Sequence, residues 1–358
     1  MRTRLVVSGL CWLLSVTAQA ASVMFVSPST PDDPFFSRVE LFTRLAAQSL
    51  DLDLTVVYGD AHRIYQHAEL EKRLANSPPD YLLVQVYSGS GKSLFDLLKR
   101  YPKVSVISLE HLLLNHESEN VGLPGQLYPN WVAEIAFDNA AASELLGAYL
   151  LSECEANALA GRPGVVGVNG LHGQEALQRQ TGLIEAVDQK APFFVHQVVN
   201  AKWQRPLAYQ QTKALLGRYP DTSVIWAASD WMALGVAEAV EPMTKQGVTF
   251  CIGGFDWLPE TVNSIQSGQI TASVGGHFMI GAWAMVMVYD HLHGSLPDYV
   301  KQGEPLFDLH LMHKGNVNEL GPLLAPKAWQ GVDFRSYSLH HNPGQRKYRF
   351  VVNQSQSD

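Results

Sequence analysis

The stretch Val23-Met24-Phe25-Val26-Ser27-Pro28-Ser29-Thr30-Pro31-Asp32-Asp33-Pro34-Phe35-Phe36 decides the fold class. Its four opening apolar residues read as a short strand buried on both faces, and the Ser, Pro and Asp residues after them read as a turn. Asp33-Pro34 announces a helix, with Asp33 as N-cap and Pro34 in the first helical position. That helix carries Val39, Phe42 and Ala46 on one face. A continuous apolar strand feeding an amphipathic helix is the repeating unit of an open parallel sheet.

The unit recurs along the chain. Strands are expected at 54–58, 81–86 and 104–109, separated by helices through 69–74 and 94–99. After a polar stretch containing Gly and Pro, residues 115–130, a second series follows. A helix over 139–152 stacks Ala141, Leu145 and Ala148, and strands are expected at 165–168, 193–198, 224–227, 250–253 and 271–274. The pattern predicts an α/β protein of two doubly wound parallel-sheet lobes, repeated in architecture but not in sequence. Beyond Pro305 it degrades into a tail carrying Trp329, Phe334, Tyr337 and Tyr348, with a polar end.

Composition agrees. With 358 residues, 46% hydrophobic and 17% charged, the chain can fill two cores. Its net charge of −8 argues against a nucleic-acid-binding surface. Residues 1–20 read as a secretory signal: Arg2 and Arg4 precede the apolar run 5–16, and Ala18-Gln19-Ala20 supplies a small-residue cleavage site. The run is shorter than the roughly 20 residues a membrane span needs. Cys11 falls inside the signal, with Ser8 where a lipoprotein acceptor site carries Leu. The mature chain keeps Cys154 and Cys251. Two buried thiols are the preferred reading, and a disulfide stays open.

Sequences that could carry catalysis fall short. Ser88-Gly89-Ser90-Gly91-Lys92-Ser93 has the end of a phosphate-binding loop, but Val86 occupies the place of its first glycine, so it reads as a strand-to-helix loop. There is no His-Glu-x-x-His, no Cys-x-x-Cys and no Gly-x-Ser-x-Gly, and His291/His293 and His340/His341 lack chelating spacing. Neither an enzyme nor a metal or other cofactor is expected. What stands out instead are loops at strand ends that mix aromatics with polar side chains: 29–36, 229–235 and 253–257. Open α/β sheets bind ligands there, aromatic faces covering the apolar side of a sugar-like ring while Asp, Arg and Ser bond its hydroxyls.

In order and spacing these residues resemble the ribose/galactose type of periplasmic binding protein, type 1, a family that includes an autoinducer-2 receptor branch. Ser29 to Phe36 is similar to the family's first binding loop. Phe137-Asp138-Asn139 with Gly147 resembles its Asp-Asn helix start, Arg179-Gln180-Thr181-Gly182 its Arg-x-x-Gly, Ser229 to Gly235 its Asn-Asp-x-Met-Ala-Leu-Gly, and Gly254-Phe255-Asp256 its Gly-Phe-Asp. The resemblance implies a three-strand hinge crossed near Asn130, Gly275 and Pro305. The lobes would be 21–130 plus 276–304 and 131–275 plus 305–340, with a polar tail over 341–358. It implies a cleft lined by Ser29, Asp33, Phe35, Phe36, Glu110 and His111 from the first lobe and by Arg179, Trp203, Ser229, Asp256 and Trp257 from the second, with His277 beside the hinge. Phe36 and Trp203 would sandwich the ligand, Asp33 and Asp256 would accept from hydroxyls, and Arg179 would present its planar fork. Asp138 and Asp230 read as helix caps. Glu110-His111 replaces the family's Asp-Arg, Ser229 its Asn, and Gly275-Gly276-His277 falls where it has Gln, so the ligand need not be ribose or galactose.

The function expected is a monomeric periplasmic receptor that binds a small sugar-like molecule and presents it to the membrane permease of an ABC importer. The alternative is a signalling co-receptor for a membrane sensor kinase or cyclase, suggested by the spacing from Gly173 to Arg179 and the tail 328–339.

Overall fold

The structure is a computed structural model that describes residues 20–110, 113–156, 161 and 163–352. Its first sheet is built from β1 (Ser22–Ser27), β2 (Asp53–Tyr58), β3 (Tyr81–Gln85), β4 (Ser105–Leu109) and β5 (Trp131–Ile135), in the order β2-β1-β3-β4-β5 and all parallel. Helices α1 (Phe36–Ser49), α2 (Arg63–Asn76), α3 (Gly91–Leu98) and α4 (Asn115–Val121) connect them. The strands read as apolar runs because helices cover both faces: Phe25 and Leu83 meet α1, while Val26 and Leu82 belong to the opposite layer.

The second lobe comprises α5 (Asn139–Ala156), β6 (Gly164–Asn169), α6 (Gln174–Asp188), β7 (Phe194–Asn200), α7 (Arg205–Arg218), β8 (Thr222–Ala227), α8 (Asp230–Thr244), β9 (Cys251–Phe255), α9 (Pro259–Ser267) and β10 (Ala272–Gly275). Then α10 (Ile280–Leu292) leads back to the first lobe, and β11 (His310–His313) and α11 (Val317–Leu320) return to the second. The second sheet runs β11-β10-β9-β8-β6-β7, parallel except that β11 opposes β10. Two parallel-sheet lobes are as expected. Cys154 in α5 and Cys251 in β9 are joined by a disulfide with Cα atoms 5.8 Å apart, so the preferred reading of two separate thiols is overturned.

Two expected boundaries move. Trp131–Ile135 pairs with β4, so the first crossing follows Ile135 rather than Asn130, and Leu306 N–H donates to Ala136 O to tie two crossings together at 2.9 Å. The tail moves further. Of 305–340, β11, α11 and the turn Gly321–Leu324, which packs on α9 and α11, stay with the second lobe; from Trp329 the chain lies on the outer side of α1 and α10. Phe350 stacks on Trp283 at 5.0 Å, Tyr337 approaches the same ring to 4.8 Å, and Trp329 meets Phe42 edge-on at 5.8 Å. The cause is in α10 itself, where all nine residues from Ile280 to Val288 are buried: a helix apolar all round needs cover on its outer face, which the tail aromatics supply. Asp290, fully buried, accepts from Ser338 Oγ, Leu339 N, His340 N and Tyr348 Oη and pins the tail there.

Candidate functional site

Strand ends of the two lobes face each other across the crossings. Glu110 follows β4, Gln85 ends β3, Asn139 opens α5, Arg179 lies on α6, Asp256 follows β9 and His277 follows β10. They form one chain of contacts. Gln85 Nε2 donates to Glu110 Oε2 at 2.6 Å, and Asn139 Nδ2 to Glu110 Oε1 at 3.4 Å. Arg179 Nε donates to Asn139 Oδ1 and Arg179 Nη1 to Ala228 O, both at 2.7 Å, and Nη1 stands 3.8 Å from Asp256 Oδ1. Asp256 Oδ1 lies 3.1 Å from His277 Nε2. Aromatic rings flank the chain: Phe35 and Phe137 lie 4.7 and 5.0 Å from the His277 ring, and Arg179 sits 4.5 Å above Phe255 and 5.9 Å from Trp203.

Glycines set these distances. A Cβ on Gly182 would lie 2.1 Å from Ala140 O, and one on Gly147 2.8 Å from the Ala186 Cβ. Without side chains there, α5 and α6 approach closely, and Arg179, one turn before Gly182, reaches Asn139. Gly254 likewise lets β9 pass Asp230, whose Oδ1 would sit 2.4 Å from a Cβ. Strain gathers at the same place. Glu110, Trp203, Asp256 and Trp257 have φ of 60°, 61°, 109° and 57°, a region that costs non-glycine residues about 1–3 kcal/mol each and persists only where the surroundings enforce it.

Burial dominates the electrostatics. The Glu110 carboxyl is pushed up to about 7 by loss of solvent, opposed by the Arg179 charge. Burial also raises Glu175 and lowers His277, the latter opposed by Asp256. His277 Nδ1 and Gln85 Oε1 are buried without a hydrogen-bond partner. Buried polar atoms left this way are exceptions that call for a partner of another kind.

The expected residues divide into three groups. Glu110, Arg179, Asp256 and His277 meet in the chain of contacts, with Phe35, Phe36 and Trp203 around it. Ser29 and Asp33 stand beside it but hold the entry loop: Ser29 Oγ donates to Asp33 Oδ2, and Asp33 Oδ1 accepts from Phe35 N and Phe36 N at 2.9 and 2.8 Å, which is the capping work foreseen for Asp33. Ser229 and Trp257 turn inward. Ser229 caps α8 by accepting from Met232 N, while Trp257, fully buried, donates Nε1 to Ser273 O and presses its ring on Gly275. A ligand-facing role for Trp257 is therefore corrected: its one polar atom is spent on β10. His111 lies outside the described residues. Gln85, Phe137 and Asn139 were not singled out as site residues. Their signals were a polar residue ending the run Tyr81 to Val84, and an Asn directly after Asp138, whose Oδ1 caps Ala140 N and Ala141 N.

The phosphate-loop look-alike is explained too. Gly89 N and Gly91 N donate to the Glu117 carboxylate at 2.7 and 2.9 Å, so a side chain of α4 fills the nest. Among the described residues no group of three or more His, Cys, Asp or Glu could hold a metal ion, and no helix is long and apolar enough to cross a membrane.

Residues 23–296 match the sequence model of a family described as Periplasmic binding protein domain. Among characterised proteins, the chain is 32% identical over 113 residues to the D-allose-binding periplasmic protein of Escherichia coli, covering 31% of this chain and 36% of that protein. It is 23% identical over 259 residues to the D-apiose import binding protein of Paraburkholderia graminis, covering 72% and 77%. Among solved structures, a periplasmic sugar-binding protein from Pseudomonas fluorescens superposes with a TM-score of 0.77 at 23% identity over 93% of this chain and 98% of the other.

Proposed function

Because the chain belongs to the periplasmic binding protein family, we propose that it captures a small neutral sugar or sugar-like molecule between its lobes in the periplasm and hands it to the permease of an ABC importer. Cleavage after Ala20 would release it there. The observation that carries this reading is the interlobe chain Gln85–Glu110–Asn139–Arg179–Asp256–His277, enclosed by aromatic rings. It pairs donors with acceptors across the lobes, which suits a ligand whose hydroxyls do both at once. Mixed charge from Arg179 against Asp256 and Glu110 disfavours a multiply charged anion. Sugar ligands named for the relatives point the same way.

Isothermal titration of residues 21–358 against pentoses, hexoses, furanoses and cyclitols tests it. At least one should bind with micromolar or tighter Kd, and Arg179→Ala should weaken it by about 100-fold or more, since it removes a guanidinium that holds three partners. Absence of binding across the panel, or unchanged affinity in the variant, would refute the assignment.

A further inference from the structure

The first-lobe end of the site contains a cavity of about 10 Å³, the size of one water molecule or one methyl group. Eight of its eleven lining residues are apolar, and they reach into the lobe's core: Phe25, Val39, Leu109 and Ile280 form its inner wall. The three polar liners are Gln85, Glu110 and His277, all members of the interlobe chain. Two of them carry the buried atoms without a partner, Gln85 Oε1 and His277 Nδ1.

We propose that this cavity is a subsite for a methyl group, and that the preferred ligand is a deoxy sugar whose terminal carbon bears hydrogens only and adjoins an oxygen-bearing carbon. The proposal rests on the sugar-receptor reading and narrows it. The inner wall of Phe25, Val39, Leu109 and Ile280 side chains is carbon only and gives a hydroxyl set against it no partner, whereas a methyl group there gains contact with each of them. Hydroxyls nearer the polar liners would satisfy Gln85 Oε1 and His277 Nδ1, so polar and apolar recognition lie within one or two bonds of each other on the ligand.

The test is titration of the wild-type mature protein with matched pairs that differ only in the terminal hydroxyl: D-fucose with D-galactose, L-rhamnose with L-mannose, and 5-deoxy-D-ribose with D-ribose. In at least one pair the deoxy member should bind about 10-fold or more tightly, the range expected for a small apolar group in a fitted pocket. Val39→Ile, which adds a methylene to the inner wall, should remove that advantage by weakening the deoxy member. Tighter or equal binding of the hydroxylated member in every pair that binds would overturn the methyl subsite while leaving the sugar-receptor reading intact. If sugars outside these pairs bind but none within them does, the subsite is likewise overturned; if no sugar binds, both readings fall.

Discussion

At the scale of single residues, the site is governed by what burial does to charge. Glu110 shows this most directly. Its carboxyl titrates near 7 in the fold and near 4.5 in a solvated chain, so between those values the folded state holds the extra proton. The resulting stabilisation is fully present below 4.5 and is lost as pH rises through 7. Relative to wild type, Glu110→Gln should therefore gain stability as pH is raised from 4.5 to 8, by on the order of 3 kcal/mol, in urea denaturation at a series of pH values. A difference independent of pH would show that the carboxyl is not buried. Asp256→Ala should abolish ligand binding without unfolding the protein, read by titration beside circular dichroism, because Asp256 joins Arg179 to His277 and caps no helix. Part of this cluster was legible in the sequence. Asp256, Glu110 and His277 follow strands and Arg179 lies inside α6, and the structure brings these four expected residues together. Trp257 was misread because a tryptophan after a strand looks the same whether it faces a cleft or the lobe beneath it.

At the scale of elements, helix spacing decides where those residues stand. Gly182→Ala would force a Cβ to within 2.1 Å of Ala140 O, pushing α6 away from α5. The expected cost is about 1–3 kcal/mol in chemical denaturation, with weaker ligand binding because the Arg179–Asn139 bond lengthens. A substitution that lowers stability yet leaves affinity untouched would separate helix packing from the site. Most elements were readable from apolar runs and caps. β5 was not, because Glu134 interrupts its apolar pattern, and the structure shows that carboxylate buried and accepting from Ser108 Oγ at 3.2 Å. Partners on a neighbouring strand are invisible to local periodicity. The short β11, His310–His313, was missed for a similar reason: two histidines flank its only two apolar residues.

At the scale of the whole molecule, two long-range ties hold distant parts of the chain together. The Cys154–Cys251 disulfide closes a loop of 97 residues within the second lobe, and replacing both cysteines by serine should lower stability by about 4–5 kcal/mol through the chain entropy it restores to the unfolded state. The tail is the other tie. Asp290→Ala would leave two backbone N–H groups and the Ser338 and Tyr348 hydroxyls without their acceptor, at a cost of roughly 3 kcal/mol or more. Limited proteolysis should then cut between Gly321 and Val352 far faster than in wild type. Fold class and lobe count were legible because they depend on repeated local patterns. The course of the tail was not, since its only signal was scattered aromatics, and their destination on α10 is set by a surface more than 30 residues away.

The rings that shield Trp283 also set an order of events in folding. The first lobe begins with β1 at Ser22–Ser27, yet Phe350, whose ring stacks on Trp283, lies beyond every strand of the second lobe. A chain with both sheets formed and the segment around Phe350 undocked still has an α10 that lacks part of its cover. The first lobe thus reaches its fully native state only once a segment from beyond the second lobe has docked back on it.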